Sequence, residues 1–129
     1  MTVRRSVFVS LLLAMLLGTV ACAQAPTVTT PKNGDRIGPS VDVKGSLGHY
    51  GLMVVITDVY NSKTNEKLAS VPGIRHYTEQ NGTFAFRIST PRNAWGENVP
   101  LTYKIRTFEL KGKDSPGPET VVTCYAEDR

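Results

Sequence analysis

Beyond residue 26 the apolar side chains of this 129-residue chain fall at every second position in short runs, and glycine, proline, asparagine and aspartate separate one run from the next. Period two is the spacing of a pleated strand, whose successive side chains point to opposite faces, and no stretch carries the spacing of a helix. The pattern predicts strands over residues 27–30, 40–45, 52–61, 67–71 with an extension at 74–77, 83–89, 101–110 and 119–126. In Val41-Asp42-Val43-Lys44 the valines face a core and the charges face water. From Thr83 onward, Phe84, Phe86 and Ile88 share one face, with Ala85, Arg87 and Ser89 on the other; Leu101, Tyr103 and Ile105 oppose Thr102, Lys104 and Arg106 in the same way. Phe108 and Leu110 then fall on the wrong parity for the core. A bulge near Arg106-Thr107 is expected to restore them, because one extra residue reverses the face of everything after it. Met53-Val54-Val55-Ile56 is apolar on both faces, as in a central strand covered on both sides or an exposed apolar stripe, and the latter is an edge hazard.

The punctuation between strands has its own chemistry. Asn33-Gly34-Asp35 and Asn81-Gly82-Thr83 supply residues that tolerate positive φ, and Pro116-Gly117-Pro118 reads as the end of a loop that cannot pair as a strand. Asn81-Gly82-Thr83 also has the form of a glycosylation sequon; it is read here as a turn.

Ahead of the alternating region, Arg4 and Arg5 precede an unbroken apolar run over residues 7–20 that closes on Ala21-Cys22-Ala23. A basic end, a short apolar stretch and small residues at the cut site are the features of an export signal, so residues 1–23 are read as a signal peptide and 24–129 as one domain. Two processing routes are open. Gly18-Thr19-Val20-Ala21-Cys22 resembles a permissive bacterial lipobox, with Thr19 where leucine is usual, and implies cleavage before a lipid-modified Cys22. Ordinary cleavage after Ala23 leaves Gln24 first. The expected location is outside the cytoplasm, either as a membrane-anchored lipoprotein or in the periplasm or exterior. Membrane association is expected only through such an anchor.

Removing the signal takes two of the fifteen basic residues and none of the eleven acidic ones, which leaves +2. With the charges interleaved and no like-charged run, a nucleic-acid partner is not expected. The other cysteine, Cys124, is expected to be an unpaired, buried, small apolar residue rather than half of a disulfide with Cys22.

Two blocks resemble bacterial immunoglobulin-like and fibronectin type III-like modules. The first is Pro31-Lys32-Asn33-Gly34-Asp35 followed by Val41-Asp42-Val43-Lys44-Gly45. The second is Tyr103-Lys104-Ile105-Arg106-Thr107 with Gly112, Ser115 and Pro116 before the last strand. The chain departs from antibody domains in lacking an early-strand tryptophan and paired cysteines. The resemblance and the strand count imply an all-β, seven-stranded antiparallel immunoglobulin-like sandwich. They imply an adhesion, docking or spacer role and carry over no catalytic residue.

Catalysis has sparse material. The two histidines, His49 and His76, have no metal-ligand spacing, and a triad drawn from His76, Asp58 and a serine lacks any motif to select it. Calcium at Asn33-Asp35 or Asp114-Ser115 would lack a dense carboxylate series. No catalytic residue, cofactor or metal is therefore expected.

Recognition has better material. An immunoglobulin-like topology gathers Gly48-His49-Tyr50-Gly51, Arg75-His76-Tyr77 and Lys111-Gly112-Lys113 as loops at one end, a basic and aromatic surface. His49, Tyr50, His76, Tyr77 and the lone tryptophan Trp95 are the candidate ligand-binding residues. The alternative is that Tyr50 and Tyr77 cap the core and Trp95 folds over the opposite end of its own sandwich. The function expected is an exported, non-catalytic accessory or structural and interaction module with a protein or carbohydrate partner in the cell envelope. A carbohydrate- or peptide-binding module is the alternative, and a small hydrolase the distant one.

Overall fold

The computed structural model describes residues 24–96, 98–112 and 115–127. Residues 1–23, read above as an export signal and including Cys22, together with Lys113 and Asp114, lie outside the described residues. The elements are β1 (Thr27–Thr30), β2 (Arg36–Ile37), β3 (Ser40–Ser46), β4 (Leu52–Asn61), β5 (Lys67–Tyr77), β6 (Thr83–Ser89), β7 (Leu101–Lys111) and β8 (Ser115–Ala126). They form two sheets, one of three strands ordered β1-β3-β6 and one of five ordered β2-β8-β7-β4-β5. The fold is all-β.

Among the described residues, eight strands replace the expected seven. The addition, β2, is a two-residue parallel pairing of Arg36 and Ile37 with Tyr125 and Ala126, too short to leave a period in the sequence. Every other pairing is antiparallel.

Alternation sets the interior. Val43, Phe84 and Ile88 from the small sheet meet Met53, Val55, Val59, Leu101, Tyr103, Ile105, Val122 and Cys124 from the large one, all buried. Phe86 and Val41 pack against them. Across the outer face of the small sheet, Arg87 and Asp42 stand opposite one another and form a 2.9 Å ion pair in water. Cys124 is unpaired and buried as expected, and burial, aided by the Asp35 carboxylate, pushes its thiol up to about 11.

Three sequence readings are corrected. Pairing runs without a break across Arg106 and Thr107, against both β4 and β8, so the expected bulge is absent. Parity persists: Thr107 faces the core with its hydroxyl unpartnered, and Phe108, although buried, lies opposite Val54 on the outer face of the sheet. Phe108 and Leu110 instead line an outer apolar hollow with Val54, Ile56, Pro72 and Pro116. Pro116-Gly117-Pro118 is part of β8 rather than a loop, and the bulge occurs there, between the Phe108–Glu119 and Leu110–Pro116 pairs. Proline is tolerated there because the ladder is already broken at the bulge, so a missing N–H costs little. Arg75, His76 and Tyr77 are the last residues of strand β5, not a loop.

β4 is central, flanked by β5 and β7, so the edge hazard considered for it does not arise. Its inward Met53, Val55 and Val59 are fully buried, whereas Val54 and Ile56 are half-buried on the outer face.

Candidate functional site

The connection from β3 to β4 folds onto the connection from β5 to β6 through backbone bonds. Leu47 N–H donates to Gly82 O at 2.8 Å, Thr78 N–H donates to Gly51 O at 2.8 Å, and Gly51 N–H donates to the Thr78 hydroxyl at 3.1 Å. Gly82 sits at φ +90°, and a Cβ there would stand 2.4 Å from His49 N. Only glycine meets both demands.

This clamp gathers four of the five candidate binding residues. Tyr50 and Tyr77 stack with ring centroids 5.2 Å apart and planes 7° from parallel, and each remains about half exposed, at 48% and 52%. His49 lies against Glu109, with Nε2 at 3.0 and 3.1 Å from the two carboxylate oxygens. Gly51 makes this contact possible, since a Cβ there would fall 2.5 Å from Glu109 Oε2. His76 is held by Nδ1 at 2.8 Å from Tyr77 O, which assigns the proton to that nitrogen, and its ring meets Phe86 edge-on at 5.9 Å.

Trp95 is elsewhere. It lies between β6 and β7, half-buried, and packs against the core with Val99. Near it the Tyr103 hydroxyl donates to Pro91 O at 2.9 Å, and Arg92 reaches the Glu127 carbonyl.

Glu109 was not among the sequence candidates, although its signal was present. It continues the inward parity of Leu101, Tyr103, Ile105 and Thr107, so a carboxylate arrives between the two sheets at this end and needs a partner. The assumed bulge at Arg106-Thr107 hid this by turning Glu109 outward.

A second polar cluster lies on the outer face of the large sheet. Asp58, buried to 7% side-chain exposure, accepts the Ser70 hydroxyl at 2.7 Å and Arg106 Nη2 at 3.4 Å, and is ion-paired with Arg106 Nε 2.9 Å away and Lys67 Nζ 3.6 Å away. Burial alone would raise its carboxyl. The Ser70 hydrogen bond and the Arg106 and Lys67 charges outweigh it and hold Asp58 below the usual aspartate range. Asp58 pairs with Ser70 and Lys104 on the outer face, while His76 pairs with Met53 on the inner face five residues away, so the paper triad of His76, Asp58 and a serine is not assembled. Asp35, one of the residues considered for calcium, instead accepts the Lys32 N–H at 2.8 Å.

What the end of the molecule offers is therefore a paired aromatic surface, a histidine–carboxylate contact beside it and a glycine-built backbone beneath. Such a surface can stack on a flat or apolar group and direct hydrogen bonds around its rim. No protein-family model, curated protein or solved structure matches this chain.

Proposed function

We propose that the chain is an exported, non-catalytic interaction module of the bacterial cell envelope, with an immunoglobulin-like sandwich that contacts a protein or carbohydrate partner through its tyrosine and histidine end. The observation that carries this reading is the Tyr50–Tyr77 stack. The core gains little from two rings that are half in water, whereas aromatic side chains held rigid at the surface are the usual anchors of recognition.

Support for the immunoglobulin-like arrangement comes from pairing and from one hydrogen bond. The first, third and sixth strands share a sheet, the seventh pairs with the fourth and the eighth with the seventh in the other, and Tyr103 ties the β6–β7 connection to β7 in the manner of a tyrosine corner. β5 joins β4 rather than β6, which leaves the small sheet one strand short.

The test compares wild type with the Tyr50→Ala/Tyr77→Ala double variant for retention on isolated cell envelopes from the native host. Equal melting temperatures with at least tenfold weaker retention of the variant support the reading. Unchanged retention refutes it. Intact mass spectrometry of the native protein addresses export separately: diacylglycerol on Cys22 or a chain beginning at Gln24 supports it, and an unprocessed chain beginning at residue 1 or 2 removes it.

A further inference from the structure

β6 is one edge of the small sheet, and the only charge on it, Arg87, is already paired with Asp42. It carries no proline, bulge or lysine, and its seven residues pair with β3 in unbroken register. The facing edge, β5, is guarded by two register breaks, Pro72 and terminal charges.

The free backbone groups of β6 can be assigned. Thr90 N–H bonds Pro39 O on the β3 side, while Thr83 O accepts from Glu79 N–H on the other. Strand alternation then sends the N–H and C=O of Ala85 and Arg87 away from β3, toward the open side. There the two sheets part. At one end β5 closes on β6, a Cβ at Gly73 standing only 3.1 Å from Ile88 Cγ2. Toward the other end they diverge around a groove of about 590 Å³ lined by Ile74, His76, Tyr77, Phe84 and Phe86, with Glu79 at the loop end.

We infer that this groove takes an extended peptide segment of another protein as a strand added antiparallel to β6, hydrogen-bonded to Ala85 and Arg87. Backbone amides and carbonyls side by side on an edge are satisfied together only by another strand, which a sugar or a lipid chain does not provide. Alternate residues of the peptide point inward onto Ile74, Phe84 and Phe86 and are apolar. Running antiparallel, its C-terminal end lies by Glu79 and carries a basic residue. A second copy of this chain is disfavoured by the closure at Ile88, because its own β6 would bring a β5 already folded against it into the same seam. The inference goes beyond the interaction module proposed above and requires neither export nor the tyrosine stack.

The probe is an acetylated, amidated octapeptide of alternating threonine and valine ending in lysine, titrated into the full chain and followed by fluorescence anisotropy and amide hydrogen exchange. Saturable binding is expected, with exchange at Ala85 and Arg87 slowed at least tenfold and the β1 edge unchanged. Ala85→Pro removes an N–H that β3 does not use and is expected to weaken binding at least tenfold. Methylating the peptide amides that face β6 has the same expected effect in the wild-type protein, so the outcome stands even if the variant fails to fold. Absence of saturable binding at millimolar peptide, protection at β1 or β5 instead, or binding indifferent to methylation overturns the inference. Protection of Ala85 and Arg87 that rises with protein concentration without peptide also overturns it, in favour of a second copy.

Discussion

The two ends of the two-sheet fold hold aromatic residues in opposite ways. At the Trp95 end the indole is drawn onto the core, so a side chain contributes to closing the fold. At the Tyr50 end the rings stack in solvent, and backbone bonds between residues 47–51 and 78–82 close the fold. An aromatic residue in a loop therefore has no fixed meaning. Its role depends on whether the local backbone already satisfies itself, which leaves the ring free for a partner.

The largest expected effect tests the backbone side of this contrast. Gly82→Ala places a side chain in a left-handed conformation and drives its Cβ into the backbone at His49, and it should cost about 3 kcal/mol in denaturant unfolding. Trp95→Ala follows, with an expected loss of about 2 kcal/mol, below the range for wholly buried tryptophans because the ring is only half-buried. A loss under 0.5 kcal/mol would mean that Trp95 closes nothing and that the two ends are alike.

Asp58 supplies a control that belongs to neither end. Its folded-state pKa is lowered, so its contribution to stability is present above the ordinary aspartate value of about 3.9 and is lost as pH falls through the folded value. Asp58→Asn should cost about 2 kcal/mol at pH 7, less than for a wholly buried pair because Arg106 and Lys67 reach solvent. Its acid-unfolding profile should also be flatter than wild type below about pH 4. The smallest effect completes the comparison. Tyr50→Ala is expected to shift stability by about 0.5 kcal/mol or less, and a loss as large as that of Trp95→Ala would make the tyrosine stack a structural cap.

Much of the candidate site was legible. His49 and Tyr50 were identifiable as ring residues between glycines, and His76 and Tyr77 as a second histidine–tyrosine pair, and they do meet at one end. The reason was only partly anticipated, because residues 75–77 arrive as the end of a strand rather than as a loop. Glu109 was hidden by the supposed bulge, and the β6 groove depends on where β5 pairs, a choice between sheets that no local spacing encodes.

Alternation alone determined that the described residues are all-β, and it placed β4 and β6 at their observed limits, because facing two ways at every second residue is a local property of a pleated backbone. The partner against which each face is buried was decided only by the tertiary structure. Phe108 points outward because β4 and β8 hold β7 in regular register through Thr107, and that pairing overrides the preference of one ring for the core. Pro116 and Pro118 enter a strand because they sit at a bulge, where the ladder to β7 is already broken. Tyr50 meets Tyr77 because two connections, 27 residues apart in the chain, share hydrogen bonds. Each is a long-range choice among arrangements that look equivalent along the sequence and differ only in which hydrogen-bonding groups and apolar faces remain uncovered.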